Sequence, residues 1–413
     1  MAEIEIPPYF LCPITLDIMK DPVTVSTGIT YDRESIEKWI FSDKNSICPV
    51  TKQVLIDPDL TPNITLRRFI QSWCTLNATH GVERLPTPKA PVTRSQLLKL
   101  LSDAKSSQQM QTKSLQTLRS VANQNQTNRR CMETAGVAEF LAALIVKNTH
   151  EASRSEVSEE YLSDLNKSSD EALAIIYSLR LTESGLKKAL NNGDFVESLT
   201  FVMQNGSYES RAYAVMLLKS MVEVAEPSLL ISLKPEFFSE VSQILSDQIS
   251  QKSTKATLKV LIGTCAWGRN RIKAVEAGAV AVLVDLLLDS PEKRTCEMVL
   301  AVLDYLCQCA EGRAELMRHG AGLAVVSKKI LRVSQVASER GVRILNSISR
   351  FSATHGVLME MLQTGVVAKL CLVVQVDCGS KTKERAREML KLHSRAWKNS
   401  SCIPSNLMSA YPS

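Results

Sequence analysis

The sequence predicts a mainly α protein: a small α+β module at the N-terminus, then an α-solenoid. Three observations carry this prediction. Apolar residues make up 45% and charged residues 22% of the 413 residues, ordinary for a globular chain, while 5% aromatics is lean for a large β sandwich or barrel. Beyond residue 93, apolar helical patterns recur with a period of about 42 residues, the signature of a helical repeat array. Residues 1–79 break that period and carry a hairpin pattern followed by two short helices.

In the N-terminal module, Val23–Tyr31 alternates apolar and polar, with Gly28 placed to turn a hairpin. Asp32 is placed to cap the next helix, where Ile36, Trp39 and Ile40 fall on one apolar face. A loop follows at Ser46–Thr51. Asn63 then caps a second helix, with Leu66, Phe69, Ile70 and Trp73 as its apolar stripe. Cys12 and Cys48 are the only cysteines before Cys74, and no histidine precedes His80, so the eight ligands of two tetrahedral zinc sites are missing. The loops must then be held by hydrogen bonds and charge pairs, for which Asp17, Asp21, Arg33 and Glu34 are at hand. With no histidine nearby to activate them, Cys12 and Cys48 read as buried structural thiols, not nucleophiles.

Residues 80–92 hold three prolines without periodicity and read as a stiff linker. The repeat array occupies 93–398 and a tail 399–413. Its register is set by small-residue–glycine steps at Gly136, Gly193, Gly278, Gly320 and Gly365. Each of the last four is followed 25 residues later by a leucine (Leu218, Leu303, Leu345, Leu390). The 85-residue gap from Gly193 to Gly278 equals two periods, so a unit lacking the glycine is expected near Pro235–Val260. Between Gly136 and Leu179 there are 18 residues too many, and the Ser/Glu-rich stretch His150–Ser168 is read as an inserted mobile loop.

The net charge of +6 is uneven: residues 1–80 carry −3 and residues 328–398 carry +9. The basic excess is read as a solvated helical face, with an acidic partner or an anionic membrane surface as the other readings. Nucleic acid is disfavoured because no stacking aromatics are interleaved with the basic residues. No apolar run reaches the length of a transmembrane helix, and MAEIEIPPYF lacks a signal peptide's basic and apolar regions. Eleven cysteines without that signal read as reduced thiols, and a cytoplasmic protein is expected, with the nucleus or a membrane periphery as other locations.

The module's residues also carry a resemblance. Phe10-Leu11-Cys12-Pro13-Ile14-Thr15, Asp21-Pro22-Val23, Gly28-Ile29-Thr30-Tyr31-Asp32-Arg33, Trp39, Cys48-Pro49, Pro62-Asn63 and Trp73 resemble a U-box, a RING-shaped fold without zinc found in ubiquitin ligases. The order of U-box, linker and repeats is similar to that of the plant U-box–armadillo ligases. The near absence of residues before the U-box resembles their short subgroup, which acts in defence and stress signalling. The resemblance implies an enzyme without a covalent ubiquitin intermediate and without cofactors or metal. It docks a ubiquitin-charged conjugating enzyme and presents a protein substrate held on the armadillo groove. The docking positions it implies are Ile14, Leu16, Trp39 and Pro49, with Leu16 read equally as core. Lys52 stands where some members carry a ubiquitin-pinning arginine, and lacks that residue's planar fork. The asparagine ladder of peptide-binding armadillo proteins is replaced by Ser220, Tyr305, Ser347 and Leu392, so binding of an extended basic peptide is not expected. A non-catalytic adaptor is the alternative, and oligomeric state is left open.

Overall fold

The computed structural model describes residues 5–42, 45–55, 57, 59–80, 82–83, 92–154, 158–191, 193–398, 400 and 411. They fall into two compact units, Met1–Val137 and Ala138–Ser413.

In the first unit, β1 (Pro22–Thr24) and β2 (Thr30–Asp32) form the expected hairpin, with Val23 opposite Tyr31. Gly28 turns it at φ 81°, a conformation that costs glycine little and other residues more. A third strand, β3 (Thr61–Pro62), pairs on the other edge of β1. Two exposed residues carry no alternation, so sequence pattern could not find it. Helix α1 (Arg33–Glu37) continues as a single π turn through Ser42. Helix α2 (Ile64–Leu76) starts at Asn63, whose side-chain oxygen accepts from the Leu66 amide at 3.0 Å. Phe10, Met19, Val23, Tyr31, Ile36 and Ile70 are buried together as the module core. Phe69 departs from the expected stripe and is 63% exposed. Adjacent helical residues point about 100° apart, so burying Ile70 turns Phe69 to the edge.

Helices α3 (Arg94–Asp103), α4 (Gln108–Ala122) and α5 (Gln126–Thr134) belong to the same unit. Glu37, only 4% exposed, accepts from the Gln126 amide at 3.0 Å and the Thr127 hydroxyl at 2.5 Å, at the positive end of α5. The Arg130 guanidinium lies 3.3 Å from the centroid of the Phe41 ring. Within the expected linker, residues 81 and 84–91 lie outside the described residues. Most of the 399–413 tail does too; of it, Tyr411 is described, donating its hydroxyl to the Leu390 carbonyl at 2.7 Å.

From Ala138 the second unit holds the rest of α6 (Val137–Ala152), then α7 (Glu159–Leu179). Here the expected loop at 150–168 is corrected: the extra residues lengthen two helices. Ser158 caps α7, Glu159 and Glu160 sit favourably in its first turn, and Leu165 is buried. Asn148 ties the helices by donating to the Leu165 carbonyl and the Ser169 hydroxyl at 3.3 and 3.1 Å. Serine and glutamate, read as loop composition, are also what a helix start requires. Residues 155–157 lie outside the described residues.

Triplets of helices follow: α8 (Glu183–Leu190), α9 (Phe195–Asn205) and α10 (Tyr208–Val222); then α11 (Pro227–Ser232), α12 (Pro235–Asp247) and α13 (Gln251–Thr264). Next come α14 (Gly268–Glu276), α15 (Ala279–Asp289) and α16 (Lys293–Leu306), and α17 (Ala310–Arg318), α18 (Gly322–Lys329) and α19 (Gln335–Phe351). The last are α20 (His355–Gln363), α21 (Val366–Gln375) and α22 (Ser380–Leu392), with the short α23 (Ser394–Trp397) behind them. Gly193, Gly278, Gly320 and Gly365 each fall between first and second helices. In the glycine-free unit, Pro235 opens α12 in the glycine's stead, at a position that needs no amide donor. The third helices α7, α10, α13, α16, α19 and α22 each pack on the next, as stacked repeats require.

Candidate functional site

Two loops of the N-terminal module share one pattern. Leu11-Cys12-Pro13-Ile14-Thr15-Leu16-Asp17-Ile18 and Ile47-Cys48-Pro49-Val50-Thr51-Lys52-Gln53-Val54 match in type at six of eight positions. They also fold alike. Each is closed by a single antiparallel bridge, Leu11 to Ile18 and Ile47 to Val54. The Cys12 amide donates to the Asp17 carbonyl, and the Cys48 amide to the Gln53 carbonyl, both at 2.8 Å. The Leu16 and Lys52 amides donate back to the carbonyls of Cys12 and Cys48. Both residues adopt a left-handed backbone, φ 62° and 59°, at which a side chain is strained.

Side-chain hydrogen bonds hold the loops. The Asp32 amide donates to Cys12 Sγ at 3.3 Å. Asp32 stands before α1 but does not cap it: its carboxylate accepts from the Lys20 and Asp21 amides at 2.7 and 2.9 Å, pinning the end of the first loop. Asp21 in turn pairs with Arg33 at 2.6 Å and Arg67 at 3.5 Å. Of the four charges expected to tie the loops, Asp21 and Arg33 do so, whereas Asp17 and Glu34 form no ion pair among the described residues. In the second loop, Cys48 Sγ accepts from the Thr27 hydroxyl at 3.3 Å and lies 3.0 Å from the Tyr31 hydroxyl. Burial raises the Cys48 thiol, but hydrogen bonds from Thr27, Thr51 and Tyr31 outweigh it and bring it down to about 6. Burial also pushes the Tyr31 hydroxyl up. Both thiols are fully buried, so neither can meet a substrate carbonyl, and the module's chemistry is to bind and position.

Trp39 connects the loops. Its indole donates to the Ile47 carbonyl at 2.8 Å, while its ring shares with Ile14 and Ile18 a shallow groove of about 430 Å³ rimmed by Asp17, Lys20 and Lys38. Ile14 and Trp39 are half-buried against the core, so each packs on one side and faces outward on the other. Leu16 is 72% exposed, which answers the core-or-surface question for this residue. Pro49 is half-buried and Lys52 exposed. Sequence reasoning missed Val50, 50% exposed at the position equivalent to Ile14. Aligning the two Cys-Pro loops would have found it.

On the third helices, two of the positions of the missing asparagines differ in their surroundings. The Ser347 hydroxyl donates to the Cys307 carbonyl at 2.7 Å, and Leu392 is exposed.

Comparison with known proteins agrees with both halves. Residues 6–79 match the U-box domain family, and residues 96–413 match the plant U-box protein ARM repeat region. Two Arabidopsis thaliana proteins, the E3 ubiquitin-protein ligases PUB23 and PUB22, are 58% and 56% identical over 99% of this chain and 98–99% of their own. A third, the E3 ubiquitin-protein ligase PUB24, is 38% identical over 98% of this chain and 96% of its own. Among solved structures, a designed armadillo repeat protein aligns with 61% of this chain and 99% of its own, at 19% identity and a TM-score of 0.44. A U-box joined to armadillo repeats, as in these ligases, puts the chain among the RING-type E3 ubiquitin-protein ligases. The chain belongs to the plant U-box armadillo-repeat family of that class, with a ubiquitin-conjugating enzyme and a protein substrate as its partners.

Proposed function

We propose that the ubiquitin-charged conjugating enzyme docks on Ile14, Leu16, Trp39 and Pro49, joined by Val50, and that the third-helix face of the repeats holds the substrate. The observation that carries this reading is Trp39, which lines one groove with Ile14 of the first loop and hydrogen-bonds the backbone of the second. A small exposed apolar centre rimmed by charge is what a transient interface needs. The transfer joins a substrate lysine amine to the ubiquitin carboxyl-terminal carbonyl. The amide bond forms, the thioester breaks, and the conjugating enzyme's thiol leaves. The U-box contributes orientation. Lys52 contributes charge near the docked ubiquitin without the bidentate grip of an arginine. The resemblance to the short subgroup supports a role in plant defence and stress signalling.

Autoubiquitination with a panel of conjugating enzymes tests the docking. Trp39→Ala should lose about 2 kcal/mol or more of docking free energy, about thirtyfold in affinity, with the repeats still folded. Lys52→Ala should change the rate much less. Full activity in both Trp39→Ala and Pro49→Ala would move the docking site elsewhere.

A further inference from the structure

The basic excess of the C-terminal region has a location. Over the four units from α11 to α22, the first and second helices carry eight basic and nine acidic residues. The third helices α13, α16, α19 and α22 carry thirteen basic and five acidic. An ordinary solvated surface would spread its charge over all three. The imbalance also stops along the stack: α7 and α10 together hold three basic and six acidic residues.

Because each third helix packs on the next, these cations lie along one stack of helices, and on α13 and α19 their spacing puts them on a single side of the helix. On α13, Lys252, Lys255 and Lys259 recur at helical spacing as the exposed stripe of an otherwise buried helix. Lys255 is paired with Glu292 at 2.5 Å; among the described residues no ion pair involves Lys252 or Lys259. Two helices further on, Arg340 and Arg343 both reach the buried Asp304 carboxylate, at 2.6 and 3.1 Å. One carboxylate holds two guanidiniums in place and neutralises only one of them, so the pair keeps a fixed positive charge and free N–H donors. Gly263 lies where α13 meets α10: a Cβ there would stand 2.5 Å from Val222. The face is thus a closely packed floor carrying positioned cations.

We propose that the third-helix face from α13 to α22 binds an acidic segment of the protein substrate, with carboxylates meeting Lys252, Lys259, Arg340 and Arg343. This rests on the reading that the third helices hold the substrate, and it names the substrate's chemistry. Charge complementarity selects the occupant: a basic segment would be repelled along four consecutive helices. The more acidic α7–α10 end sets the polarity, so the substrate's acidic residues lie toward the chain's C-terminal repeats.

The test uses the full-length protein and three fluorescent peptides of equal length, one glutamate-rich, one neutral and one lysine-rich, read by anisotropy without ubiquitin or conjugating enzyme. The acidic peptide should bind and the other two should not, with affinity falling as salt rises. Lys252→Glu/Lys259→Glu should weaken binding by about tenfold or more. A control with the same charge change on second helices, Lys328→Glu/Lys369→Glu, should change it less than about twofold. Both variants must melt like the parent protein. Equal losses in the two variants, or no preference for the acidic peptide, would overturn the proposal. Binding is read without the ligase reaction, so its failure leaves U-box docking standing. Conversely, a failure of docking shows as lost dependence of autoubiquitination on Trp39 with peptide binding intact.

Discussion

At the scale of single residues, the docking role proposed for Leu16 sets stability against function. A leucine in the left-handed region costs about 1 kcal/mol relative to glycine, and at 72% exposure it recovers little of that by burial. Leu16→Gly should therefore raise the unfolding midpoint by up to about 1 kcal/mol of stability while weakening docking of the conjugating enzyme. Denaturant unfolding and an affinity measurement on one variant check both arms; unchanged docking would show that Leu16 is no contact. Cys48 gives a second prediction. Its thiol is brought from the model-compound value of 9.0 to about 6 in the fold, so the folded state binds its proton less tightly than the unfolded chain. The stabilisation is complete above pH 9 and is lost as pH falls through 6. Stability should thus fall as pH drops from about 9 to about 6 and level off below that, and Tyr31→Phe, which removes one of the hydroxyls near the sulfur, should flatten that slope. Thermal melts across pH measure it; parallel profiles in the two proteins would refute it.

At the scale of elements, α1 serves two neighbours. Its extension carries Trp39 toward the loops, while Glu37 reaches the start of α5. The U-box core and the α3–α5 helices are therefore parts of one packed unit. Glu37→Ala leaves the Gln126 amide and Thr127 hydroxyl without their acceptor. Hydrogen bonds to a charged group are worth about 1.5–3 kcal/mol, so stability should fall by about that much. Hydrogen exchange should quicken at residues 126–130 in the full chain. Exchange there as slow as in the parent protein would show that the carboxylate does not hold α5.

At the scale of the whole chain, stacking of third helices decides tolerance. Gly263 leaves room for Val222 across the α10–α13 contact. Gly263→Val overfills it and should cost about 1–3 kcal/mol, seen as a lower thermal midpoint. Since repeats bury their apolar faces only on each other, the loss should spread to neighbouring units. A midpoint equal to the parent's would mean that the helices part at no cost.

Much of this architecture is local, which is why it is legible in one sequence. Glycine steps, caps such as Asn63 and the spacing of apolar residues act within a few residues of themselves, so they announce the hairpin, the helix triplets and even the glycine-free unit at α12–α13. The U-box pattern picks out Trp39, Ile14 and Pro49 as docking candidates, and the twin Cys-Pro loops are there to be read. What required the tertiary structure depends on partners far apart in the chain. Asp32 could serve either α1 or the amides of Lys20 and Asp21, and the fold chose the amides. The Ser/Glu stretch before α7 is loop or helix according to whether Leu165 finds a core, and it does. Glu37 meets Gln126 across 89 residues of sequence, a contact that no local pattern announces. The basic residues of the C-terminal repeats appear in sequence as scattered charge. Only the stacking of third helices lines them up along one row of helices, because packing decides which helices become neighbours.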